Sequence, residues 1–289
     1  MARLGYVGLG IMGGPMARHL ATAKHSMTVY NRTTAKADAW VGQHGGARVL
    51  TPREVAQASD VVLMCVGNDD DVRSVVFGAD GILAGLKTGG ILVDHTTASA
   101  TIAREIADAC AKQGCGFVDA PVSGGQAGAE NGQLTIMCGS NDPATFDAIE
   151  PIIAAYAKRS KLLGTAGSGQ LAKMVNQICI AGIAQGLSEA LNFAMRAGLD
   201  PDDVVDVISK GAAQSWQMEN RAKTMVRSEF EFGFAVEWMR KDLGICFDEA
   251  SRNGAQLPMT EMVDKFYEEV VAMGGKRWDT SSLIARLTD

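Results

Sequence analysis

The strongest constraint in this chain is a cluster of glycines close to its start. An apolar run, Arg3–Val7, is followed at once by a GxGxxG pattern and then by a helical pattern. Glycines placed between a strand and a helix predict a tight turn whose free N–H groups face an anion at the helix start. A plain strand-to-helix turn is the alternative, but this setting favours a dinucleotide pyrophosphate. The residues expected to contact it are Gly8, Leu9, Gly10, Ile11, Met12 and Gly13.

The end of the second predicted strand indicates which dinucleotide is preferred. Asn31, Arg32 and Thr33 follow Tyr30, at the position that contacts the adenosine ribose in such folds. An acidic residue there would accept a hydrogen bond from the 2′-hydroxyl and repel a 2′-phosphate, whereas Asn31 is neutral and the next two residues are donors. We therefore expect NADP to be preferred, with NAD as a possible cofactor. The alternative for Arg32 is a solvated surface charge.

Short β-branched runs alternate with helical patterns through the first half of the chain. Strands are predicted near residues 3–7, 26–30, 61–66, 91–93, 116–119, 134–138 and 161–163. This alternation predicts an α/β fold, a doubly wound parallel sheet of the Rossmann-like type. Helices are predicted over 168–197, from Asp200, and over 215–227, 235–253 and 259–273. We predict a dinucleotide-binding domain over residues 1–163 and an all-helical domain for substrate binding and dimerisation over residues 164–289.

Charge and cysteine usage exclude several classes of function. The formal net charge of −6 argues against a nucleic-acid or anionic-membrane partner. Six scattered cysteines form no CxxC pair and four histidines show no ligand spacing, so we expect free thiols, a cytoplasmic location and no metal site. The chain enters a strand at once rather than a cleavable apolar segment, and the charge-free stretch between Lys173 and Glu189 is too short and too polar to span a bilayer.

Three further segments carry a family resemblance. They are Asp119–Gly125 (DAPVSGG), Gly164–Gly169 (GTAGSG) with Lys173, and Lys241–Leu243 (KDL). Together with the glycine pattern, they make the chain resemble the β-hydroxyacid dehydrogenase family, which includes 3-hydroxyisobutyrate dehydrogenase, tartronate semialdehyde reductase and glyoxylate/succinic semialdehyde reductase. The resemblance implies an NAD(P)-dependent oxidoreductase with a 6-phosphogluconate dehydrogenase-like C-terminal domain, assembled as a homodimer or homotetramer.

The chemistry of such an enzyme needs a side chain that exchanges a proton. Oxidising an alcohol with a nicotinamide takes a hydride from carbon and a proton from oxygen. The resemblance assigns this role of general acid and base to Lys173, which lies one turn inside the long predicted helix. Apolar surroundings and a neighbouring cation would lower its pKa from the free value of about 10.4. A surface lysine with a buried stem is the alternative.

Two amides follow that lysine on the same helical face. Asn176 and Gln177 lie three and four residues after Lys173, where an amide can hold the substrate oxygen. Family members commonly carry asparagine at the fourth position, which is Gln177 here. Which of the two amides contacts the substrate therefore stays open.

The remaining site residues are also implied by the resemblance. Ser123, Gly124 and Gly125 would bind the substrate carboxylate, with the serine carrying most of this role because Gly-Gly turns often serve only geometry. The residues expected to face the cofactor are Cys65, Val66, Thr97 and Lys241. A surface charge flanked by Asp242 is the alternative for Lys241. Arg221, in an aromatic segment of the helical half, would pair a distal carboxylate unless that segment belongs to the core.

Three functions follow from these residues. The first is interconversion of a small β-hydroxy acid and its semialdehyde or keto acid, as in 3-hydroxyisobutyrate dehydrogenase. The second is NADPH-dependent reduction of glyoxylate, succinic semialdehyde or tartronate semialdehyde. A partner of either enzyme would be a small carboxylate-bearing aldehyde or hydroxy acid. The third, from another class, is a non-catalytic nucleotide-binding sensor or scaffold, against which the presence of Lys173 counts.

Overall fold

The computed structural model describes residues 1–288, which divide into two compact units. The first unit is Met1–Lys173 and the second begins at Met174. The domain boundary expected after residue 163 lies in the loop that precedes the long helix. Each unit is described separately below.

A six-stranded parallel sheet forms the centre of the first unit. Its strands are β1 (Arg3–Val7), β2 (Ser26–Tyr30), β3 (Ala47–Arg48), β4 (Val61–Met64), β5 (Ile91–Asp94) and β6 (Gly116–Asp119). They lie in the order β3-β2-β1-β4-β5-β6, the order of a classic doubly wound sheet. The predicted fold class is therefore confirmed. Among the six strands of this sheet, β3 alone has no counterpart among the predicted strands.

Helices cover both faces of this sheet. They are α1 (Gly13–Thr22), α2 (Thr34–His44), α3 (Pro52–Gln57), α4 (Asp69–Val76), α5 (Ile82–Gly85), α6 (Ala100–Lys112), α7 (Gly125–Glu130) and α8 (Pro143–Ile153). Neighbouring residues of a strand enter different apolar cores, as Val62 and Leu63 do in β4, because side chains alternate across a sheet. Burial on both faces is typical of a parallel sheet.

The last predicted strands of this unit belong to a second, separate sheet. It contains β7 (Val122–Ser123), β8 (Leu134–Cys138) and β9 (Ala157–Leu162), with β7 antiparallel and β9 parallel to β8. The expectation of one sheet is wrong here. Pro121 lies just after the end of β6 and has no backbone N–H, so it cannot donate a hydrogen bond to a neighbouring strand. The edge strand β9 carries Lys158, Arg159 and Lys161, charges that discourage pairing with another chain.

Helices build the second unit. They are α9 (Ser168–Arg196), which starts before the unit, α10 (Pro201–Ile208), α11 (Trp216–Val226), α12 (Val236–Asn253), α13 (Pro258–Ala272) and α14 (Ala285–Thr288), with 3₁₀ helices at Gly275–Arg277 and Thr280–Ile284. Every predicted helix of this half is confirmed to within two residues at its ends. Asp200 caps α10 as expected by accepting the N–H groups of Asp202 and Asp203.

The long helix α9 is apolar on most of its surface. Among residues 1–288, it is the one helix long and apolar enough to cross a bilayer by length and composition alone. The expectation that this stretch is too short and too polar does not hold by that criterion. An apolar helix packed among other helices meets the same criterion, and Leu187 and Leu191 lie here in an apolar core.

One buried carboxylate fixes where α9 begins. Asp119, at the end of β6, is fully buried and accepts the N–H groups of Gly167 at 2.7 Å and Gln170 at 2.9 Å. These donors belong to the helix start, where N–H groups lack partners within the helix. A Cβ at Gly139 would overlap the Asp119 carboxylate, and one at Gly169 would overlap backbone oxygen. Glycine at both positions therefore allows the close approach of β6 to the helix start.

Replacing Asp119 tests this cap. We expect Asp119→Ala to lower the free energy of unfolding by about 2–4 kcal/mol, because two buried N–H groups lose their partner. Urea unfolding followed by circular dichroism measures the effect. The matched control is Asp200→Ala, which also removes an acceptor of two N–H groups, but at an exposed helix start. That change should cost about 1 kcal/mol. Equal losses in the two variants would contradict a special role for Asp119.

Candidate functional site

The glycine-rich loop has the geometry of a phosphate cradle. Gly8 has a φ of 93°, and a Cβ there would overlap the carbonyl oxygen of Cys65. A Cβ at Gly13 would overlap the Gly8 carbonyl, so both glycines are required by the packing of α1 on the sheet. Gly10 is different, because a Cβ there would meet nothing within 4 Å. Its surroundings are open, as needed where a backbone approaches a pyrophosphate.

The start of α1 is suited to an anion. Met12 occupies the N-cap position, no side chain caps the helix, and its first turn holds no acidic residue. The N–H groups at such a start attract negative charge. Ile11 is exposed beside them, whereas Leu9 is buried. The loop therefore fits the phosphates of a dinucleotide.

Asn31 has a structural task in the same loop. Its Oδ1 accepts the N–H of Leu9 at 2.9 Å, and its Nδ2 donates to the carbonyl of Thr33 at 3.0 Å. The side chain thus ties the glycine loop to the end of β2. Because both ends of the amide are engaged, Asn31 orients the loop.

Arg32 and Thr33 lie at the surface beside Asn31. The Arg32 side chain is 85% exposed, and its Nη1 lies 3.0 Å from Oδ1 of Asp71 in the first turn of α4. An ion pair this exposed contributes little to stability. The guanidinium therefore loses little when it turns from Asp71 to another anion.

A chain of hydrogen bonds joins the carboxyl ends of β4 and β5 to the start of α9. Thr96 accepts the N–H of Val66 through its Oγ1 at 3.0 Å and donates its own N–H to Asp94 Oδ1 at 2.8 Å. The buried amide of Gln170 then donates to the Thr96 carbonyl at 2.7 Å and accepts the N–H of Ala98 at 3.0 Å. Ligands bind at this edge of a doubly wound sheet.

The predicted cofactor residues Cys65, Val66 and Thr97 all lie at this edge. Each is half-buried. The backbone N–H of Cys65 extends the pairing of β4 by donating to Val7 at 3.0 Å. Thr97 lies between the two residues that Gln170 binds, so its backbone is held on both sides.

Burial suppresses charge below this edge. Desolvation raises the pKa of Asp94 to about 7 and lowers the pKa of His95 to about 4. Nδ1 of the neutral His95 donates to the carbonyl of Ala120 at 2.7 Å, and the hydroxyl of Tyr156 donates to its Nε2 at 2.8 Å. Desolvation also raises the pKa of Asp119 to about 6, against the lowering effect of its backbone hydrogen bonds.

The predicted carboxylate-binding turn leaves the second sheet directly. Ser123 ends β7 and is half-buried, and Thr135 on β8 donates its hydroxyl to the Ser123 carbonyl at 3.4 Å. Gly124 and Gly125 follow with φ values of 127° and 61°. Only glycine adopts such values without strain. Both glycines are exposed.

Lys173 is the last residue of the first unit. It lies one turn after Gln170 on α9 and is only 8% exposed. A surface position is thereby excluded for its side chain. The bonds of Asp119 and Gln170 fix the turn that precedes it, so the position of this amine depends on residues at the carboxyl ends of β5 and β6.

The second unit places the other predicted residues in one polar cluster. Nε2 of the buried Gln177 donates to Asp242 Oδ2 at 2.6 Å, and Asn176 Nδ2 donates to Gln177 Oε1 at 2.8 Å. Lys241 Nζ lies 3.0 Å from Asp242 Oδ1 and 5.9 Å from the Trp238 ring. Lys241 therefore belongs to the same cluster as the two amides, rather than being a fully solvated charge.

Arg221 does not meet the expectation of a substrate-binding residue. Its guanidinium pairs with the buried Asp279 at 3.3 Å and lies 4.7 Å from the Trp216 ring and 4.8 Å from the Phe232 ring. These contacts engage its charge within the second unit. The alternative, that this segment belongs to the core, describes Arg221 better.

Sequence reasoning missed four residues that position the site. Thr96, Asp119, Gln170 and Asp242 are all buried polar residues. Two of them, Asp119 and Asp242, lie inside the segments that carry the family resemblance, but the sequence did not indicate that their side chains are buried. A polar residue within or at the end of an apolar run was the available signal, because burial of such a group requires a hydrogen-bond partner.

Two family profiles cover the chain. The NAD binding domain of 6-phosphogluconate dehydrogenase matches residues 3–167. The family described as NAD-binding of NADP-dependent 3-hydroxyisobutyrate dehydrogenase matches residues 167–287. The division between the two profiles lies at the start of α9.

Individual relatives match over nearly the full length. An uncharacterised oxidoreductase of Shewanella frigidimarina is 61% identical over 99% of this chain and 98% of the relative. The 2-hydroxy-3-oxopropionate reductase of Escherichia coli is 35% identical over 99% and 97%. The solved structure of Mycobacterium tuberculosis 3-hydroxyisobutyrate dehydrogenase with L-serine matches with a TM-score of 0.90 and 28% identity over 100% of both chains. The chain therefore belongs to the β-hydroxyacid dehydrogenase family and is an NAD(P)-dependent oxidoreductase.

Proposed function

We propose that this enzyme interconverts a small β-hydroxy acid and its semialdehyde, with Lys173 as the general acid and base. The observation that carries the proposal is the position of Lys173. Its side chain is almost fully buried, and the preceding helical turn is bound to the carboxyl ends of β5 and β6. A catalytic amine needs this combination of restricted solvent access and fixed position.

Proton exchange at the substrate oxygen is the task of Lys173. In the reductive direction its ammonium donates a proton to the oxygen, and in the oxidative direction the neutral amine accepts the hydroxyl proton. The nicotinamide cofactor, when bound, supplies the hydride acceptor or donor. Val66, Thr96 and Gln170 keep the carboxyl edge of the sheet rigid, so the chain positions its amine before substrate arrives.

Binding of the substrate carboxylate is assigned to the turn after β7. Ser123 carries a hydroxyl, and Gly124 and Gly125 are exposed residues with positive φ values whose backbones carry N–H donors. The serine hydroxyl and the backbone N–H groups of such a turn can surround a carboxylate. The relatives named 3-hydroxyisobutyrate dehydrogenase and 2-hydroxy-3-oxopropionate reductase have substrates that carry this group.

The preferred cofactor is NADP. Arg32 is an exposed guanidinium at the end of β2, and its only described ionic partner is the Asp71 carboxylate. A 2′-phosphate carries more charge than Asp71 and accepts a bidentate guanidinium contact. The proposal requires Arg32 to leave Asp71 when NADP binds.

The enzyme assembles as a homodimer or homotetramer. One side of α9 exposes large apolar side chains in the second unit, with Val175 61%, Ile183 40% and Phe193 73% exposed. Apolar side chains spaced along one helix face favour burial against another subunit. A second copy of this chain is the partner that we propose.

Turnover with and without Lys173 tests the proposed function. Wild-type enzyme should consume NADPH with at least one of glyoxylate, succinic semialdehyde, tartronate semialdehyde and methylmalonate semialdehyde. Lys173→Ala should lower kcat for that substrate by about 10²–10⁴-fold, because a removed acid–base group typically costs that much. Absorbance at the NADPH band measures both rates.

The control for this experiment is Lys161→Ala, which removes an exposed lysine of β9. It should leave kcat unchanged, and Lys173→Ala should still bind NADPH in a fluorescence titration. Unchanged turnover in Lys173→Ala would eliminate this lysine from the mechanism. Reaction with none of the four aldehydes, and with neither 3-hydroxyisobutyrate nor glycerate in reverse, would contradict the substrate class.

Cofactor titrations test the role of Arg32. We expect wild-type enzyme to bind NADPH more tightly than NADH, and Arg32→Ala to weaken NADPH binding by about tenfold while NADH binding stays the same. Arg3→Ala, which removes an exposed arginine paired with Asp60, is the matched control and should change neither affinity. A wild-type preference for NADH, or equal affinities, would refute this assignment.

Light scattering after size exclusion tests the assembly. Wild-type enzyme should have a mass of two or four chains, and Phe193→Glu should reduce it by placing a charge in an apolar interface. Val207→Glu is the control, because Val207 is 75% exposed on α10, outside the α9 face. A monomeric wild-type protein would rule out the proposed assembly.

A further inference from the structure

The short helix that leaves the carboxylate-binding turn has little apolar packing of its own. α7 begins at Gly125, directly after Ser123 and Gly124. Within residues 125–130, only Ala129 is buried. A helix of six residues is unstable by itself in water, because forming its first turn is costly. Contacts with other elements must therefore hold α7, and the turn before it, in place.

The helix that starts at the glycine loop supplies such contacts. His19 and Arg18 lie in the second half of α1 and reach the C-terminal end of α7. Nε2 of His19 lies 3.0 Å from the carbonyl oxygen of Ala129 and 3.1 Å from that of Glu130. Nη2 of Arg18 donates to the Glu130 carbonyl at 2.5 Å. Because a carbonyl oxygen only accepts, Nε2 must carry the hydrogen of the His19 ring, which the two oxygens share.

These contacts satisfy the end of one helix from a helix that is firmly packed. The last carbonyls of an α-helix have no N–H partner within the helix, and their partial negative charge attracts a cation such as Arg18. α1 is well anchored, because Met16, Ala17 and Leu20 are fully buried in an apolar core. Its first turn lies at the glycine loop, and its second half holds α7.

We propose that His19 and Arg18 position the carboxylate-binding turn through α7, so that one rigid helix places both the cofactor phosphates and the substrate carboxylate. This inference rests on the proposed function, because that function assigns the turn to the substrate carboxylate. His19 and Arg18 are positioning residues.

Positioning of this kind affects substrate binding more than the chemical step. A turn that is ordered in only a fraction of the molecules binds its ligand more weakly, in proportion to that fraction. Once the substrate is bound, the turn is in place and the chemical step keeps its rate. Loss of the contacts from α1 should therefore raise KM and leave kcat nearly unchanged.

Two substitutions of His19 separate hydrogen bonding from packing. His19→Phe keeps an aromatic ring but removes the donor, whereas His19→Gln keeps an N–H group at a similar distance from the backbone. With 3-hydroxyisobutyrate and glycerate as probes and NADP⁺ saturating, His19→Phe should raise the KM of the hydroxy acid that reacts by about fivefold. Its kcat should change by less than about twofold. His19→Gln should keep both values close to those of the wild type.

A second variant and a matched histidine complete the kinetic test. Arg18→Met, which removes the other donor to the Glu130 carbonyl, should also raise KM. His25→Phe is the control, because His25 is likewise half-buried but accepts the N–H of Ala2 at 3.3 Å. It should change neither KM nor kcat, and all the variants should bind NADPH as the wild type does in a fluorescence titration.

Three kinetic results would overturn the proposal. The first is an unchanged KM in both His19→Phe and Arg18→Met. The second is a rise of KM in His19→Gln as large as that in His19→Phe, since packing rather than hydrogen bonding would then be responsible. The third is an equal rise in His25→Phe, which would make the effect independent of α7.

Backbone hydrogen exchange tests the connection between α1 and α7 without catalysis. The N–H groups of Gly128 and Asn131 donate to the carbonyls of Gly124 and Ala127. In His19→Phe they should exchange at least about fivefold faster than in the wild type, whereas exchange in α6 should stay the same. Quench-flow mass spectrometry measures both rates. Equal rates in α7 would contradict the connection, whereas faster exchange in an enzyme that turns over no hydroxy acid would refute the proposed function and leave the connection intact.

Discussion

The position of the candidate catalytic amine depends on one buried carboxylate at the end of β6. Asp119 binds two N–H groups at the start of α9, and Gln170 extends the connection to the loop after β5. Burying that carboxylate is costly, as its raised pKa indicates. The cost is offset by the hydrogen bonds to N–H groups that would otherwise lack partners, and these bonds hold the start of α9 against the end of β6. Lys173 lies one turn later on α9, so the same hydrogen bonds determine where its side chain begins.

The second property of this region, at the carboxyl ends of β5 and β6, is that burial disfavours charge on its side chains. Asp94 has a raised pKa and His95 a lowered one because both are desolvated. Burial therefore disfavours the charged forms of both side chains under the carboxyl edge of the sheet. Electrostatic interactions are stronger where water and competing ions are scarce. The glycine loop follows the same logic, since it binds phosphates with backbone dipoles rather than with side-chain charges.

Periodic features of the fold could be predicted from the sequence, and features set by long-range contacts could not. Five strands of the parallel sheet, the long helix and the Asp200 cap all follow from local patterns. The separate sheet of β7 to β9 was missed, because alternation along a strand does not specify its partner. In the site, Asn31 was assigned to the ribose but holds the Leu9 N–H. That contact joins residues far apart in sequence, and spacing gave no sign of it.

The direct test of the account is a crystal structure with NADP⁺ and a hydroxy acid bound. We predict that Lys173 Nζ lies within about 2.6–3.2 Å of the substrate hydroxyl, the range required for proton exchange. The start of α9 should keep both bonds to Asp119. An Nζ directed into bulk solvent and far from the nicotinamide ring would contradict the mechanism, whatever the substrate is.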